Sequence, residues 1–316
     1  MANDDRAELN TALRDVVGAS AITELRRLSG GASRETWQFT ADGRPLILQR
    51  QRSGDVRDMG VEVAALRAAR AGGVPVADVV AASTDASQLG AAYMVLSHVA
   101  GETIARKILR DPEFAPARAK LTHDCAVALA RLHAIDPAAV PNLVATDQVQ
   151  QYRLTLDATA DAHPAFELAF RWLDDHRPPP QPSRVLHGDF RLGNLMIGHD
   201  GLAAVLDWEL AHIGDPLEDL SWLCVKAWRF GSSKPVAGVG EYEELLDAYA
   251  TESGMRLDPD ALRWWEVLGT LKWGIMCIMQ TEAHLTGIAR SHELAAIGRR
   301  VCENEHDLFL ALEGRW

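Results

Sequence analysis

Lysine is the scarcest charged residue in this sequence of 316 residues, and its distribution is uneven. The chain has 32 basic residues, of which 27 are arginine and five are lysine. The lysines are Lys107, Lys120, Lys226, Lys234 and Lys272. Because none precedes position 107, no lysine in the first third of the chain is available to neutralise a phosphate or a buried carboxylate.

Other absences narrow the class of protein. No apolar run reaches the roughly 18 residues that a transmembrane helix needs, and the first ten residues are too polar for a signal peptide. The four cysteines form no CxxC pair, which is typical of thiols buried in a reducing compartment. The formal charge of −12 argues against nucleic acid or an anionic membrane as the main partner. We therefore expect a soluble, cytoplasmic protein.

Hydrophobic periodicity predicts a first third rich in strands, followed by helices. After a helix over 4–17, the pattern predicts strands at 36–40, 46–48, 79–81 and 93–96 and a helix at 58–70. Further along it predicts helices at 117–133 and 164–176, short strands at 184–186, 195–197 and 203–206, and at least four helices from about residue 215. The fold class is therefore α+β. A small mixed α/β lobe with an antiparallel sheet is expected over 1–97, and a larger, mostly helical lobe over 98–316.

The most informative motif is HGDFRLGN at residues 187–194. A strand, a turn and a second strand follow, and the second strand ends at Asp207. A hairpin of this length brings Asp207 back beside Asn194. Amide and carboxylate oxygens suit Mg²⁺, which takes one or two protein ligands together with phosphate and water. Asp189 is then placed to act on a substrate hydroxyl.

An Asp, an Asn five positions later and a metal-binding Asp after a hairpin form the arrangement found in protein kinases. With HGD at its start, and with LDWELAHIGDPLEDLSWL at 206–223, the sequence resembles the aminoglycoside phosphotransferase and choline kinase-like family. It looks most like the branch of kinase-like domains fused to acyl-CoA dehydrogenases. The resemblance implies a two-lobed protein-kinase-like fold with a catalytic loop at 186–209 and substrate-binding helices within 215–316. It also implies ATP and Mg²⁺ as cofactors.

The resemblance assigns a phosphate-binding loop to the glycine turn in the first lobe. Gly30, Gly31 and Ser33 match that loop, in which small residues let backbone N–H groups approach phosphates. The family commonly has Asn after the serine, whereas this chain has Arg34.

The resemblance also assigns the remaining nucleotide contacts. The chain after the strand at 93–96 matches the hinge that holds adenine, through the Ser97 carbonyl and the Val99 N–H. Glu62 matches the helix glutamate that positions a strand lysine on the phosphates. That lysine is missing here, and either Gln49 or Arg50 takes its place, depending on a register of one residue. Arginine would keep the charge and could bind phosphate while pairing with the glutamate.

The leading hypothesis is transfer of the γ-phosphoryl group of ATP to a hydroxyl of a small molecule. Asp189 would orient the hydroxyl and accept its proton, while Mg²⁺ held by Asn194 and Asp207 would bridge the phosphates. Arg191 would contact an anionic substrate or the transferring phosphate, or else brace the loop. Glu209 would approach the metal or cap the loop.

The identity of the acceptor stays open at this point. Tryptophans concentrate in the C-terminal helices and are more often core than cleft residues, but any that line the cleft would favour an acceptor with an apolar surface. They are Trp222, Trp228, Trp264, Trp265 and Trp273. A cluster of acids would instead favour an amine, unless it is a solvated helix face. Its members are Glu241, Glu243, Glu244 and Asp247.

Several alternatives remain. A nucleotide-binding pseudokinase or regulatory module is suggested by the missing strand lysine. A zinc or dimetal hydrolase could use His187, Asp189, Asp207 and His212, although no HExxH motif occurs. A serine hydrolase is disfavoured because no G-x-S-x-G occurs, and no P-loop motif is present. ATP is not distinguished from GTP, and the oligomeric state is open.

Overall fold

The N-terminal part of the chain forms one antiparallel sheet with two helices. The computed structural model describes residues 3–28, 34–52, 54–55, 57–159 and 161–315. The first elements are α1 (Asn3–Val17), β1 (Ile22–Arg27), β2 (Arg34–Ala41), β3 (Arg44–Gln51), α2 (Met59–Ala71), β4 (Val79–Ser83) and β5 (Tyr93–Ser97). The strands pair in the order β1-β2-β3-β5-β4. The expected antiparallel sheet is confirmed, and β1 is a strand that the sequence pattern did not reveal, because only two of its six residues are buried.

The two faces of this sheet have different environments. The outer face packs against α1 in a buried cluster that includes Leu9, Leu13, Phe39, Leu48 and Val95. Because side chains alternate along a strand, the residues between these face the other way. The inner face carries Thr36, Gln38, Ile47, Gln49 and Met94, which line a cavity. The register of the sheet therefore decides which side chains can meet a ligand.

The C-terminal part is mostly helical. Its helices are α3 (Ala105–Arg110), α4 (Ala115–His133), α5 (Gln148–Asp157), α6 (Pro164–Asp175), α7 (Pro216–Trp222), α8 (Tyr242–Ser253), α9 (Pro259–Leu285), α10 (His292–Ile297) and α11 (Arg300–Leu312). Its short strands are β6 (Arg184–Leu186), β7 (Leu195–Gly198), β8 (Gly201–Val205) and β9 (His212–Gly214). The α+β, kinase-like fold class is thus confirmed. None of the described helices is both long and apolar enough to cross a bilayer.

Aspartates begin the helices that frame the site. Asp58 accepts a hydrogen bond from the Gly60 N–H at the start of α2, and Asp215 accepts one from the Leu217 N–H at the start of α7. These bonds satisfy backbone donors that have no partner inside the helix. Pro216 occupies the first turn of α7, where its missing N–H costs nothing. Asp215 is therefore the N-cap of α7.

A continuous apolar core joins the sheet to the loop between β6 and β7. One buried cluster extends from Leu66 of α2 and Met94 of β5 to Leu121 of α4 and Phe190 of the loop. This shared core fixes the inner face of the sheet above the loop. Among the cysteines, three are buried and free as expected, whereas Cys302 on α11 is exposed.

Candidate active site

A cavity of about 370 Å³ lies between the inner face of the sheet and the β7–β8 hairpin. Its apolar lining includes Leu66, Ala77, Met94, Leu96 and Val99. Its polar lining includes Arg34, Gln49, Glu62, Asn194 and Asp207. The volume lies within the range of small-molecule sites, and an apolar wall facing a few polar groups is their usual composition.

The loop that follows β6 contains a glycine that no other residue can replace without movement. Gly188 has a φ of +79°, and a Cβ on it would stand 2.3 Å from the Leu210 carbonyl oxygen. Asp219 of α7, which is fully buried, accepts hydrogen bonds from the His187 N–H (2.7 Å) and the Gly188 N–H (2.8 Å). Although burial acts in the opposite direction, the neighbouring His133 lowers the pKa of Asp219. An ionised carboxylate therefore holds the loop.

His187 is a structural residue of this loop. Its Nε2 lies 2.9 Å from the Leu206 carbonyl oxygen, which can only accept, so Nε2 carries the proton. The Asp189 N–H donates to the other ring nitrogen at 3.2 Å. Burial lowers the pKa of His187, in keeping with this neutral tautomer. His187 thereby ties the loop to the residue before Asp207.

Three donors converge on the carboxylate of Asp189. Arg191 Nε (3.0 Å) and Trp222 Nε1 (2.6 Å) donate to Oδ1, and Asn194 Nδ2 donates to Oδ2 at 2.6 Å. The side chain is buried with 8% of its surface exposed. A carboxylate held at both oxygens has a fixed orientation, which a group acting on a bound hydroxyl requires.

The β7–β8 hairpin brings Asp207 beside Asn194, as expected. Leu195 pairs with Val205, and the Leu206 N–H donates to the Asn194 carbonyl at 2.8 Å. Asp207 has a φ of +64°, a left-handed conformation that aspartate tolerates better than most residues. A strained backbone at such a position is typical of functional sites.

Negative charge accumulates around Asp207. Burial, and then the carboxylates of Glu209, Asp189 and Glu62, raise the pKa of Asp207 to about 7. Its side chain opens onto the cavity, where these carboxylates repel one another. Glu209 also forms an ion pair with Arg57. A cavity with this charge is suited to a cation.

The strand register resolves the choice between Gln49 and Arg50. Gln49 pairs with Thr36, and both line the cavity. Arg50 lies on the outer face, where its guanidinium bonds to Glu35 (2.5 Å) and to the Leu89 carbonyl (3.0 Å). The expectation that Arg50 could replace the strand lysine is therefore corrected, because the alternation of side chains directs it away from the cavity.

The partner of Glu62 is a residue that the sequence analysis did not assign to it. Arg34, the first residue of β2, donates from Nη2 to Glu62 (2.7 Å) and from Nη1 to Asp55 (3.1 Å). All three side chains are less than 10% exposed. Burial, opposed by Arg34, raises the pKa of Glu62. Of the other predicted nucleotide contacts, Ser97 and Val99 line the cavity.

The predicted phosphate loop belongs to the part of the chain that the structure does not describe. Gly30, Gly31 and Ser33 lie outside the described residues, so their assignment stays a prediction.

One further residue of the site was not identified from the sequence. Lys272 of α9 is buried, and its Nζ donates to the Gly188 carbonyl (3.1 Å) and to Glu218 (3.2 Å). The same Nζ lies 4.6 Å from the ring centroid of Trp222, in a cation–π contact. A lysine inside an otherwise apolar stretch of α9 was the available signal.

The candidate acceptor residues divide into buried and exposed groups. Trp228 and Trp273 are buried beside Trp222, and the Arg191 guanidinium stacks on Trp228 at 4.6 Å. The acidic cluster lies on an exposed face of α8 and begins that helix with a capping box.

His212, considered above as a metal ligand, bonds to Glu218 at 3.0 Å. Within the described residues, no three His, Cys, Asp or Glu side chains form a metal-binding group.

The geometry described above defines a kinase-like protein with an Asp–Asn–Asp site beneath an antiparallel sheet. Residues 24–265 match the sequence profile of the phosphotransferase enzyme family. The chain therefore belongs to this family.

The relatives agree with the branch that the sequence resembles. The mouse acyl-CoA dehydrogenase family member 10 is 30% identical over 262 residues, which cover 73% of this chain and 24% of that protein. The chicken acyl-CoA dehydrogenase family member 11 is 26% identical over 318 residues, which cover 90% of this chain and 40% of that protein. The chain thus spans about a quarter to two fifths of these relatives.

Solved structures show the same fold. A putative aminoglycoside phosphotransferase from Ralstonia eutropha aligns with a TM-score of 0.76 and 21% identity, over 98% of both chains. At this identity the comparison establishes the fold alone.

Proposed function

We propose that this protein is an ATP- and Mg²⁺-dependent phosphotransferase that transfers the γ-phosphoryl group to a hydroxyl of a small molecule. The observation that carries the proposal is the convergence of Asp189, Asn194 and Asp207. Asn194 and Asp207 line one side of the cavity, and Asn194 donates a hydrogen bond to Asp189, which lies next to this lining. Membership of the phosphotransferase family supports the class of reaction. We treat residues 1–97 as the nucleotide-binding lobe and 98–316 as the catalytic lobe.

The apolar part of the cavity is the proposed adenine site. Met94 and Leu96 form part of the apolar wall of the cavity, and β5 ends at Ser97. The Ser97 carbonyl and the Val99 N–H are the proposed contacts of the base, and both residues line the cavity. Backbone contacts of this kind depend on the path of the chain and hardly on side-chain identity.

The donor set fits a magnesium ion. Asn194 offers an amide oxygen and Asp207 a carboxylate, and Mg²⁺ takes one or two such ligands with phosphate oxygens and water. The carboxylate repulsion that raises the pKa of Asp207 is relieved by a cation, which is a second reason for the fit. When bound, the ion would neutralise charge on the transferring phosphate.

Asp189 is the proposed general base. Its Oδ1 is held by Arg191 and Trp222, and its Oδ2 contacts only Asn194 among the hydrogen bonds of the described chain. Release of the Asn194 amide would leave Oδ2 to orient an acceptor hydroxyl and accept its proton. Phosphoryl transfer needs positioning more than a strong base, so a carboxylate suffices. Arg191 is placed to contact an anionic group on the acceptor or the transferring phosphate.

Asp189→Asn tests the proposal against the regulatory-module alternative. The variant should lower transfer to an active member of a hydroxyl-compound panel by roughly 10³-fold, with affinity for ADP–Mg²⁺ nearly unchanged. Asp200→Asn, at the exposed tip of the same hairpin, is the matched control and should transfer normally. Retained turnover in Asp189→Asn would refute the assigned base. Nucleotide binding by the wild type with no phosphorylated panel member would instead favour the regulatory module.

A further inference from the structure

The polar end of the cavity carries an arginine on β2, whereas the resemblance predicts a lysine on β3. A kinase of this fold is expected to carry a lysine on β3, but the cavity-facing residue there is Gln49. Among the described residues that line the cavity, Arg34 is the one arginine and no lysine occurs. Since Arg50 is on the outer face, Arg34 is the cationic side chain of this lining that is placed to neutralise a phosphate.

The sheet register places Arg34 one strand away from the missing lysine. Arg34 pairs with Gln51 in the β2–β3 ladder, and Thr36, two residues later, pairs with Gln49. Residues two apart on a strand share a face, so Arg34 and Gln49 both point to the cavity. Arg34 and Gln49 are thus diagonal neighbours across the strand pair, about 7–8 Å apart, a distance that an arginine side chain can span. The positive charge that β3 lacks is therefore present on the neighbouring strand β2, on the same face of the sheet.

Two carboxylates fix the direction of the guanidinium. Glu62 approaches from α2 at 2.7 Å, and Asp55 approaches at 3.1 Å from the segment between β3 and α2. Asp55 is itself held by Arg57, whose other partner is Glu209 in the catalytic lobe. Glu62 keeps the role that the resemblance gave it, but it orients an arginine on β2 and not a residue on β3.

Arg34 still has donors to spare. A guanidinium carries five N–H groups, and two of them serve Glu62 and Asp55. Its Nε is buried and has no hydrogen-bond partner among the described residues. The second N–H of each Nη therefore remains for a phosphate oxygen in the cavity, whereas the buried Nε is reached only after the side chain moves. Arginine can thus hold both carboxylates and a phosphate together, which three lysine donors do less well.

We propose that Arg34 binds the phosphates of the nucleotide, with Glu62 and Asp55 as positioning residues, and that this chain needs no lysine on β3. The inference rests on the proposed nucleotide site. It assigns the missing charge to a residue that adjoins the predicted phosphate loop in sequence.

The test measures binding of adenosine, AMP and ADP with Mg²⁺ by calorimetry, without turnover. Arg34→Gln should weaken ADP binding roughly 30-fold or more and leave adenosine within about twofold, because only the phosphate contact is lost. Arg50→Gln, which removes a charge from the outer face of β3, is the matched control and should bind all three ligands normally. The double variant Arg34→Gln/Gln49→Lys should regain much of the ADP affinity, since a lysine at 49 returns the charge to the same face.

The outcomes separate this inference from the proposed function. Wild-type protein that binds none of the three ligands would refute the nucleotide site itself. Unchanged ADP affinity in Arg34→Gln, or an equal loss for adenosine and ADP, would overturn the role of Arg34 and leave the site intact. If Arg34→Gln does not fold, Arg34→Lys replaces it. That variant should weaken ADP binding about five- to tenfold with adenosine unchanged, and unchanged ADP affinity would again overturn the inference.

Discussion

The indole Nε1 of Trp222 donates a 2.6 Å hydrogen bond to Oδ1 of Asp189, and this contact links α7 to the proposed catalytic base. The Lys272 ammonium lies over the same indole ring, and Trp222 is almost wholly buried. A cation over the ring draws electron density from the indole, which strengthens its N–H as a donor. Trp222 therefore holds Oδ1 of Asp189 in place, and its ring packs inside the protein.

Replacement of Trp222 by phenylalanine tests this link. Trp222→Phe keeps an aromatic ring but removes the donor, so Asp189 should lose part of its fixed orientation. We expect kcat to fall about tenfold and the KM for ATP to stay near the wild-type value, since a hydrogen bond to a charged group contributes about 1.5–3 kcal/mol. Trp273→Phe in the same cluster, whose Nε1 has no partner in the described chain, is the control. Equal kcat losses in both variants would contradict the assignment.

The glycine of the HGD motif should tolerate no side chain. Gly188→Ala places a Cβ against the Leu210 carbonyl in a left-handed backbone conformation, so the loop must shift. We expect loss of phosphoryl transfer and a lower melting temperature. Gly254→Ala is the control, because Gly254 has a φ of +73° and nothing within 4 Å of the added Cβ. The control therefore pays only the cost of a left-handed backbone at alanine, about 1–2 kcal/mol, without a steric clash. Similar losses of activity in the two variants would show that the clash with the Leu210 carbonyl does not cause the loss of phosphoryl transfer.

Asp219→Asn should destabilise the protein in a pH-dependent way. The pKa of Asp219 is lower in the folded state than in the unfolded chain, so its ionised form stabilises the fold. This stabilisation is present above the unfolded pKa, near 4, and is lost as the pH falls through the folded value. The melting temperature of the variant should therefore lie several degrees below wild type at pH 7, and the difference should shrink below pH 4. A difference that is constant from pH 7 to pH 3 would refute this linkage.

Metal affinity should distinguish Asp207 from Glu209. Asp207→Asn should weaken binding of Mn²⁺, used as a paramagnetic substitute for Mg²⁺, by at least about tenfold. Asparagine tolerates the left-handed backbone at this position, so the variant should fold. Glu209→Gln should have a smaller effect, because Glu209 pairs with Arg57. A larger effect of Glu209→Gln would make Glu209 the principal ligand.

Much of the catalytic loop could be predicted because its residues are close in sequence. The interval from Asp189 to Asn194 and the hairpin to Asp207 are local, and turn geometry alone brings the three together. Periodicity likewise predicted α1, α2, α4 and α6 to within two residues at each end. Strand β1 was missed because its exposed residues leave too weak an alternation.

The long-range contacts of the site could not be predicted in the same way. Asp219 and Trp222 belong to the second motif, at 206–223. Their hydrogen bonds to Gly188 and Asp189 join residues that are some 30 positions apart in the sequence. Lys272 reaches the loop from α9, 84 residues away. Such contacts depend on how helices pack, which periodicity does not specify.

The sequence by itself determined the family, the Asp–Asn–Asp order of the site and the absence of a lysine before position 107. The tertiary structure alone decided that Arg50 faces outward and that Arg34 pairs with Glu62. The physical reason is the two-residue period of a strand: a one-residue change of register reverses every side chain, and only the paired sheet fixes that register.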